Sequence, residues 1–307
     1  MSPTPSSGTE VQVDVEGRTL TISNLAKVLY PRTGTTKGEV LNYYAQVAPV
    51  LLPHLEDRAV TRIRWPDGTG SHQFFEKNLP NGAPSWLRSV TVPSTGSRGG
   101  GDKIVFPLID DTAGLTYLAN LASLELHVHQ WTVDEDLVPQ NPNRLVIDLD
   151  PGAPAGLGEC CRVALLVRDK LEERGLSCAP VTSGSKGLHM YAALPGDKSA
   201  DEVRDLAQEV AQELTEEHGD LVLWKMTKNL RHGKVFLDWS QNTAAKTTIT
   251  PYSLRGRNRP YVAAPRTWDE IEAGAEDSEE IDHLLFDEVL ARIDEEGDVF
   301  GDLLHDW

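Results

Sequence analysis

Residues 145–152, LVIDLDPG, run apolar side chains up to two aspartates, Asp148 and Asp150, one residue apart, and stop at Pro151-Gly152. The stretch reads as a β-strand, in which residues i and i+2 point to one face about 6.6–6.8 Å apart. Asp148 and Asp150 therefore aim at one place while Leu149 faces the opposite layer. Two ionised carboxylates repel, and holding them at the end of an apolar strand is costly unless a cation or several donors compensate. A divalent metal is the economical compensation. The plainer alternative is that Asp150 caps the following turn and Asp148 makes a surface pair.

Outward from this strand the pattern stays regular. Helical periodicity returns from Glu159 to Arg174, with Gly175 at the stop. CAPVTS and GLHMYAAL are strands across a Gly/Ser/Lys turn, followed by a helix over about 199–218 and by strands VLWKM and KVFLDWS. That succession is β-α-β-β-α-β, the ferredoxin or RNA-recognition type. Upstream, VQVDVEGRTLTIS is a hairpin, Thr36-Lys37-Gly38-Glu39 leads into a helix, and AVTRIRW, HQFFEKNL and VFPLI are strands. STGSRGGGDK is a loop, TAGLTYLANLASLEL a helix and LHVHQW a strand. The fold class is mixed α/β (α+β). One domain is expected over 13–300, comprising an N-terminal α/β part (13–140), an RNA-recognition-like part (141–266) and an acidic helical tail (267–300). Residues 1–12, rich in Ser, Thr and Pro, are expected to be disordered.

A chain of 307 residues can bury a substantial core. No run approaches about 18 uninterrupted apolar residues and MSPTPSSGTE lacks a secretory pattern, so a cytoplasmic protein without a membrane span is expected. Cys160, Cys161 and Cys178 show no CxxC spacing and read as reduced and structural. The net charge of −18 argues against a polyanionic partner until its distribution is read. Residues 267–307 hold 16 acids against Arg292 alone, leaving 31 acids and 28 bases in residues 1–266. Within 225–266, nine Lys and Arg surround a single acid, Asp238. The block is either a solvated face or a polyanion site.

Asp238 ends the apolar strand KVFLDWS and supplies a third carboxylate. Three carboxylates on adjacent strands can hold two Mg²⁺ or Mn²⁺ ions for phosphoryl transfer. The turn TSGSKGLH brings Ser183, Lys186 and small residues that let an anion approach the backbone, and His189 faces either this site or the core. Arg231 and Arg255 are candidates for triphosphate contacts. His127 and His129 share a strand face; a polar contact is preferred for His127, with a core role open to either. Phe74 and Phe75 face opposite ways, both packed or one a stacking platform for a base. Asn24, Lys27 and Lys37 surround a turn before a helix start, suited to a phosphate or merely solvating.

SNLAKVLYP, TRIRWPDG, FFEKNLP, LELHVHQW, LVIDLDPG, TSGSKGLH, KVFLDWSQN and TTITPYSLRGR together, in this order, resemble the polymerase domain of bacterial ligase D, of the archaeo-eukaryotic primase superfamily, used in non-homologous end joining. The resemblance spans roughly residues 19–300. It implies a primase-type catalytic core in which Asp148, Asp150 and Asp238 bind two metals, commonly manganese, and add nucleotides, ribonucleotides by preference, to a DNA 3′ end. It also implies nucleotide contacts from Ser183, Lys186, His127, Arg231, Arg255 and Gln241, a base stacked on Phe75, and Phe74 against template or duplex. Arg64 lies in a nucleotide-facing strand, where Ile63 departs from the lysine of some relatives. Asn24, Lys27 and Lys37 are similar to a pocket for the 5′-phosphate at a break or gap. The implied partners are DNA ends, NTP or dNTP, a Ku-like protein and a separate ATP-dependent ligase, for a nucleoid-associated monomer. The chain has no KxDG ligase motif and no phosphoesterase module, so a stand-alone polymerase or an excised polymerase domain is expected; a two-metal nuclease or phosphoesterase and a non-catalytic end-binding module are the rivals.

Overall fold

A computed structural model describes residues 10–94 and 103–301. The chain opens with two small hairpins, β1 (Glu10–Val15) with β2 (Arg18–Ser23) and β3 (Val28–Tyr30) with β4 (Thr35–Thr36). Glu10, Val11 and Gln12 are paired in β1, so the disorder expected to residue 12 is corrected there: alternation in EVQVDV lets the strand begin earlier. Residues 1–9, and most of the expected loop STGSRGGGDK, lie outside the described residues. Helix α1 (Lys37–Leu51) starts at a capping box in which Thr36 and Glu39 satisfy each other's backbone N–H groups.

Next come β5 (Val60–Arg64), β6 (Phe74–Glu76), β7 (Ser89–Pro93), β8 (Lys103–Pro107), α2 (Thr112–Asn120), β9 (Ser123–Val128), β10 (Trp131–Val133) and β11 (Pro139–Pro142). The helix expected through TAGLTYLANLASLEL ends at Asn120. Ala122 takes a left-handed φ of 58°, and from Ser123 onward the alternate residues Leu124, Leu126 and Val128 are buried as a strand. Apolar spacing alone does not separate these two periods over so short a run.

The second part runs β12 (Arg144–Pro151), α3 (Leu157–Glu172), β13 (Cys178–Thr182), β14 (Leu188–Ala193), α4 (Ala200–Glu217), β15 (Val222–Leu223) and β16 (Val235–Asp238). VLWKM thus yields only two strand residues. The six-stranded sheet has the order β15-β16-β12-β14-β13-β18, where β18 is Ala264–Pro265. Its four central strands are antiparallel to one another, which is the arrangement that a β-α-β-β-α-β chain with two crossovers produces, and β15 joins β16 in parallel at the edge. Leu145, Ile147 and Leu149 pack with residues of α3 and α4, so these helices cover one face of the sheet and the aspartates stand on the other.

The N-terminal sheet has the order β17-β9-β5-β6, and its edge strand β17 (Thr248–Ile249) comes from far along the chain. Tyr252, Leu254 and Val262 return to the N-terminal core in the same way. Buried hydroxyls secure the return: Tyr43 donates to the Tyr252 carbonyl (2.7 Å), Tyr44 to the Leu124 carbonyl (2.7 Å) and Tyr30 to the Arg255 carbonyl (2.8 Å). The acidic tail is folded too. Helix α5 (Trp268–Glu276) packs on α3, and Val289 of α6 (Phe286–Glu296) enters the N-terminal core. Cys160, Cys161 and Cys178 are free and buried, as expected.

Candidate active site

Register does the assembling. Asp148 lies directly opposite Asp238 on β16 and opposite His189 on β14, while Asp150 pairs with Phe236. Directly paired residues share a face with Cβ atoms about 5 Å apart, so the three aspartates and His189 form one polar patch on the open side of the sheet. His189 Nε2 lies 3.4 Å from Asp148 Oδ1, and the ring is buried, so it supports Asp148 from the side. Asp238 accepts from the Ser240 backbone N–H (3.0 Å) and from Gln241 Nε2 (3.1 Å).

Burial and then the neighbouring Asp148 push the Asp150 carboxyl up to about 6, against the pull of Arg231. Arg231 sits 3.6 Å from Asp150, its guanidinium 3.7 Å above the Phe236 ring, and Lys246 Nζ sits 3.8 Å from Asp238. Among the described residues no three His, Cys, Asp or Glu side chains are drawn close enough to enclose an ion unaided. The donors nevertheless fit one: an all-carboxylate set is hard oxygen chemistry suited to Mg²⁺ or Mn²⁺, and the crowding felt by Asp150 is what a divalent cation relieves.

The 183–187 turn abuts this patch. Ser183 Oγ accepts from the backbone N–H groups of Ser185 (3.3 Å), Lys186 (3.3 Å) and Gly187 (3.2 Å), which leaves its own proton for a ligand. A Cβ on Gly187 would stand 1.9 Å from the Leu149 carbonyl, so only glycine lets the turn lie this close to β12. Lys186 is exposed, and Arg257 donates to Ser185 Oγ (2.7 Å).

An open cleft of about 1530 Å³ borders the patch and is lined by Arg64, Phe75 and His127 from the N-terminal sheet and by Gln241 and Lys246, both of which also approach Asp238. Phe75 and Phe74 are 57% and 44% exposed, so neither is packed away. Arg64 is tied to Glu76 (2.8 Å) and to the Leu121 carbonyl. His129, by contrast, is a core residue stacked on Trp131, its pKa lowered to about 4 by burial.

Glu125 is a component that sequence reasoning missed. Its buried carboxylate lies 2.9 Å from His127 Nε2, accepts from the Gly256 N–H at 2.9 Å, and lies 3.6 Å from Arg255 Nε. Burial alone would raise its pKa, but His127 and Arg255 outweigh that and hold it at about 2. Lys246 and Glu76 were missed too. Glu125 sits two residues before His127 in LELHVH, a spacing that puts both on one strand face, and that was the available signal.

A second cluster lies apart, at the start of α1. Asn24 takes φ 58° and its carbonyl receives the Lys27 N–H (2.9 Å), while the Lys27 carbonyl receives the Lys37 N–H (2.8 Å). Lys37 is only 5% exposed, donates to the Ser23 carbonyl (2.6 Å), and has its pKa lowered to about 8 by burial and then by Lys27. The three expected residues are therefore together.

A ferredoxin-like sheet bearing this carboxylate row, buttressed by a second sheet across a cleft, defines a nucleotidyltransferase of the primase type. The family model for the LigD primase-polymerase domain matches residues 36–300, and the chain belongs to that family. It is 48% identical over 92% of its length to the multifunctional non-homologous end joining protein LigD of Mycolicibacterium smegmatis, and 32% identical over 92% of its length to the bifunctional protein LigD of Bacillus subtilis. It spans 36% and 44% of those two proteins. The polymerase domain of Mycobacterium tuberculosis ligase D, solved in complex with DNA, superposes with a TM-score of 0.87 at 47% identity, covering 94% of this chain and 98% of that one. No described helix is long and apolar enough to cross a membrane.

Proposed function

We propose that this chain extends DNA 3′ ends at gaps and double-strand breaks during non-homologous end joining, with ribonucleotides as preferred substrates and two Mn²⁺ or Mg²⁺ ions as cofactors. The observation that carries the reading is the register that sets Asp148 against Asp238, with Asp150 on the same face and cations around them. In the reaction the primer 3′-oxygen bonds to the α-phosphorus of the nucleotide, the bond to the bridging oxygen breaks, and pyrophosphate leaves. Asp148, Asp150 and Asp238 would hold the divalent ions, which when bound would make the attacking hydroxyl more acidic and neutralise charge on the phosphates.

The chain's own residues do the rest. Ser183 donates its spare proton to a phosphate oxygen, and Lys186, Arg231 and Arg255 place positive charge where negative charge develops. Gln241 orients Asp238, and the exposed ring of Phe75 offers a face to the base. Phe74 is available to template or duplex, and Asn24, Lys27 and Lys37 take the 5′-phosphate of the downstream strand. A nucleoid-associated site of action, a Ku-like partner and a separate ATP-dependent ligase go with this role. The test is a gapped, 5′-phosphorylated duplex incubated with Mn²⁺ or Mg²⁺ and each nucleotide set. NTP-dependent lengthening of the primer, strongest with ribonucleotides and Mn²⁺, is expected; a shortened strand would mean hydrolysis instead.

A further inference from the structure

Arg255 is held at its backbone as well as at its side chain. Its N–H donates to the Tyr261 carbonyl (2.8 Å), and its own carbonyl accepts from the Tyr30 hydroxyl (2.8 Å), the one donor found for that oxygen among the described residues. The next residue is pinned on two sides. The Gly256 N–H donates to Glu125 Oε1 (2.9 Å), and a Cβ on Gly256 would overlap the Trp65 ring, so the chain lies directly on that indole. The Arg255 stem in turn rests on the 183–187 turn, where a Cβ on Gly184 would stand 2.6 Å from Arg255 Cγ. Tyr30 closes β3 and is fully buried. Burial raises its pKa well above the ordinary value, so the hydroxyl keeps the proton that it donates.

We infer that Tyr30 is a positioning residue for the incoming nucleotide: its hydroxyl fixes the Arg255 backbone beside the 183–187 turn, and with it the point at which the guanidinium meets the triphosphate. This rests on the reading of Arg255 as a triphosphate contact. A guanidinium fork binds phosphate oxygens by direction as well as by charge, so a shift at its Cα is felt at the ligand. Glu125 restrains the Arg255 Nε and the Gly256 N–H but leaves the Arg255 carbonyl to Tyr30. Without the hydroxyl that carbonyl loses its donor, and the segment relaxes towards another one. Tyr30 touches no substrate itself; it acts through Arg255. Tyr30→Phe removes one oxygen and keeps the ring that fills the core.

The experiment measures the affinity of the full chain for a ribonucleoside triphosphate with Mn²⁺, and separately for a gapped, 5′-phosphorylated duplex, in wild type, Tyr30→Phe, Arg255→Gln and the double variant. Tyr43→Phe is the control, since it loses an equivalent buried hydroxyl, the donor to the Tyr252 carbonyl (2.7 Å). Tyr30→Phe is expected to weaken nucleotide binding about fivefold, the scale of one hydrogen bond, and to leave duplex affinity unchanged. Tyr43→Phe is expected to change neither. In the Arg255→Gln background the loss of the Tyr30 hydroxyl is expected to add nothing. Unchanged nucleotide affinity in Tyr30→Phe, an equal loss in Tyr43→Phe, a parallel loss of duplex affinity, or an effect that persists without the arginine each overturns the inference while leaving Arg255 as a contact. An Arg255→Gln variant that binds the nucleotide as wild type does overturns the reading of Arg255 and the inference together.

Discussion

Two aspartates directly opposite each other across a strand pair destabilise the sheet that holds them, and Asp148 against Asp238 is such a pair. A purely structural position would not keep this arrangement. Asp238→Asn is therefore expected to leave the melting temperature without divalent metal equal to wild type or higher, while primer extension disappears; a fall of many degrees would make Asp238 a structural residue. Glu125 works at one remove, through His127 and Arg255. Glu125→Gln keeps an acceptor for the Gly256 N–H but loses the charge facing Arg255. It is expected to raise KM for the nucleotide roughly tenfold, on the scale of a hydrogen bond to a charged group, with kcat and DNA affinity little changed. Steady-state kinetics separates these. Lys37 carries the pH dependence. Its folded pKa of about 8 lies below the unfolded value, so the folded state binds fewer protons between pH 8 and about 10.5 and stability rises with pH across that window. Its charge is lost over the same range, so preference for a 5′-phosphate over a 5′-hydroxyl is expected to fall as pH passes 8, by titrations at pH 7 and 9.

Strand β12 and its neighbours carry most of what was legible. LVIDLD announced its strand, its two faces and its carboxylates by local alternation, and KVFLDWS announced Asp238. That Asp238 stands opposite Asp148 was not local information: it depends on the four-strand order, which the β-α-β-β-α-β succession implied. The helix expected over 112–126 ran six residues too far because Leu118, Leu121 and Leu124 keep a three-residue spacing past the point where the backbone turns at Ala122. Contacts of Glu125 with Arg255 and Gly256, and of Lys246 with Asp238, were hidden for a different reason. Each joins residues distant in the chain or set by a turn, and no periodicity encodes a side-chain partner. The 183–187 turn leaves no room for change at Gly187. Gly187→Ala would force a Cβ into the Leu149 carbonyl, so a loss of stability on the order of 2 kcal/mol is expected in denaturant titration, with nucleotide binding lost as the turn is pushed from β12.

At the scale of the whole chain, the two sheets are interlocked rather than merely adjacent, since β17 and Tyr252 return to the N-terminal part and the segment that follows brings Arg255 to Glu125 and Arg257 to Ser185. The acidic tail, expected as a helical segment, contributes to that construction. Glu270 accepts from Arg292 through both oxygens (2.7 Å each) and from Arg266 (2.5 Å), joining α5, α6 and the end of the second sheet. Burial would raise the Glu270 carboxyl, yet these arginines hold it at about 2, below its unfolded value, so this stabilisation is present above about pH 4.5 and is lost as pH falls towards 2. The role proposed for the row of three aspartates is polymerisation. Its most direct measurement is the length of a labelled primer on a gapped, 5′-phosphorylated duplex with Mn²⁺ and NTPs, comparing wild type with Asp148→Asn, Asp150→Asn and Asp238→Asn. Added nucleotides with the wild type and none with any variant, all four binding the DNA equally, is the predicted result. Normal extension by any one of the three variants would contradict it.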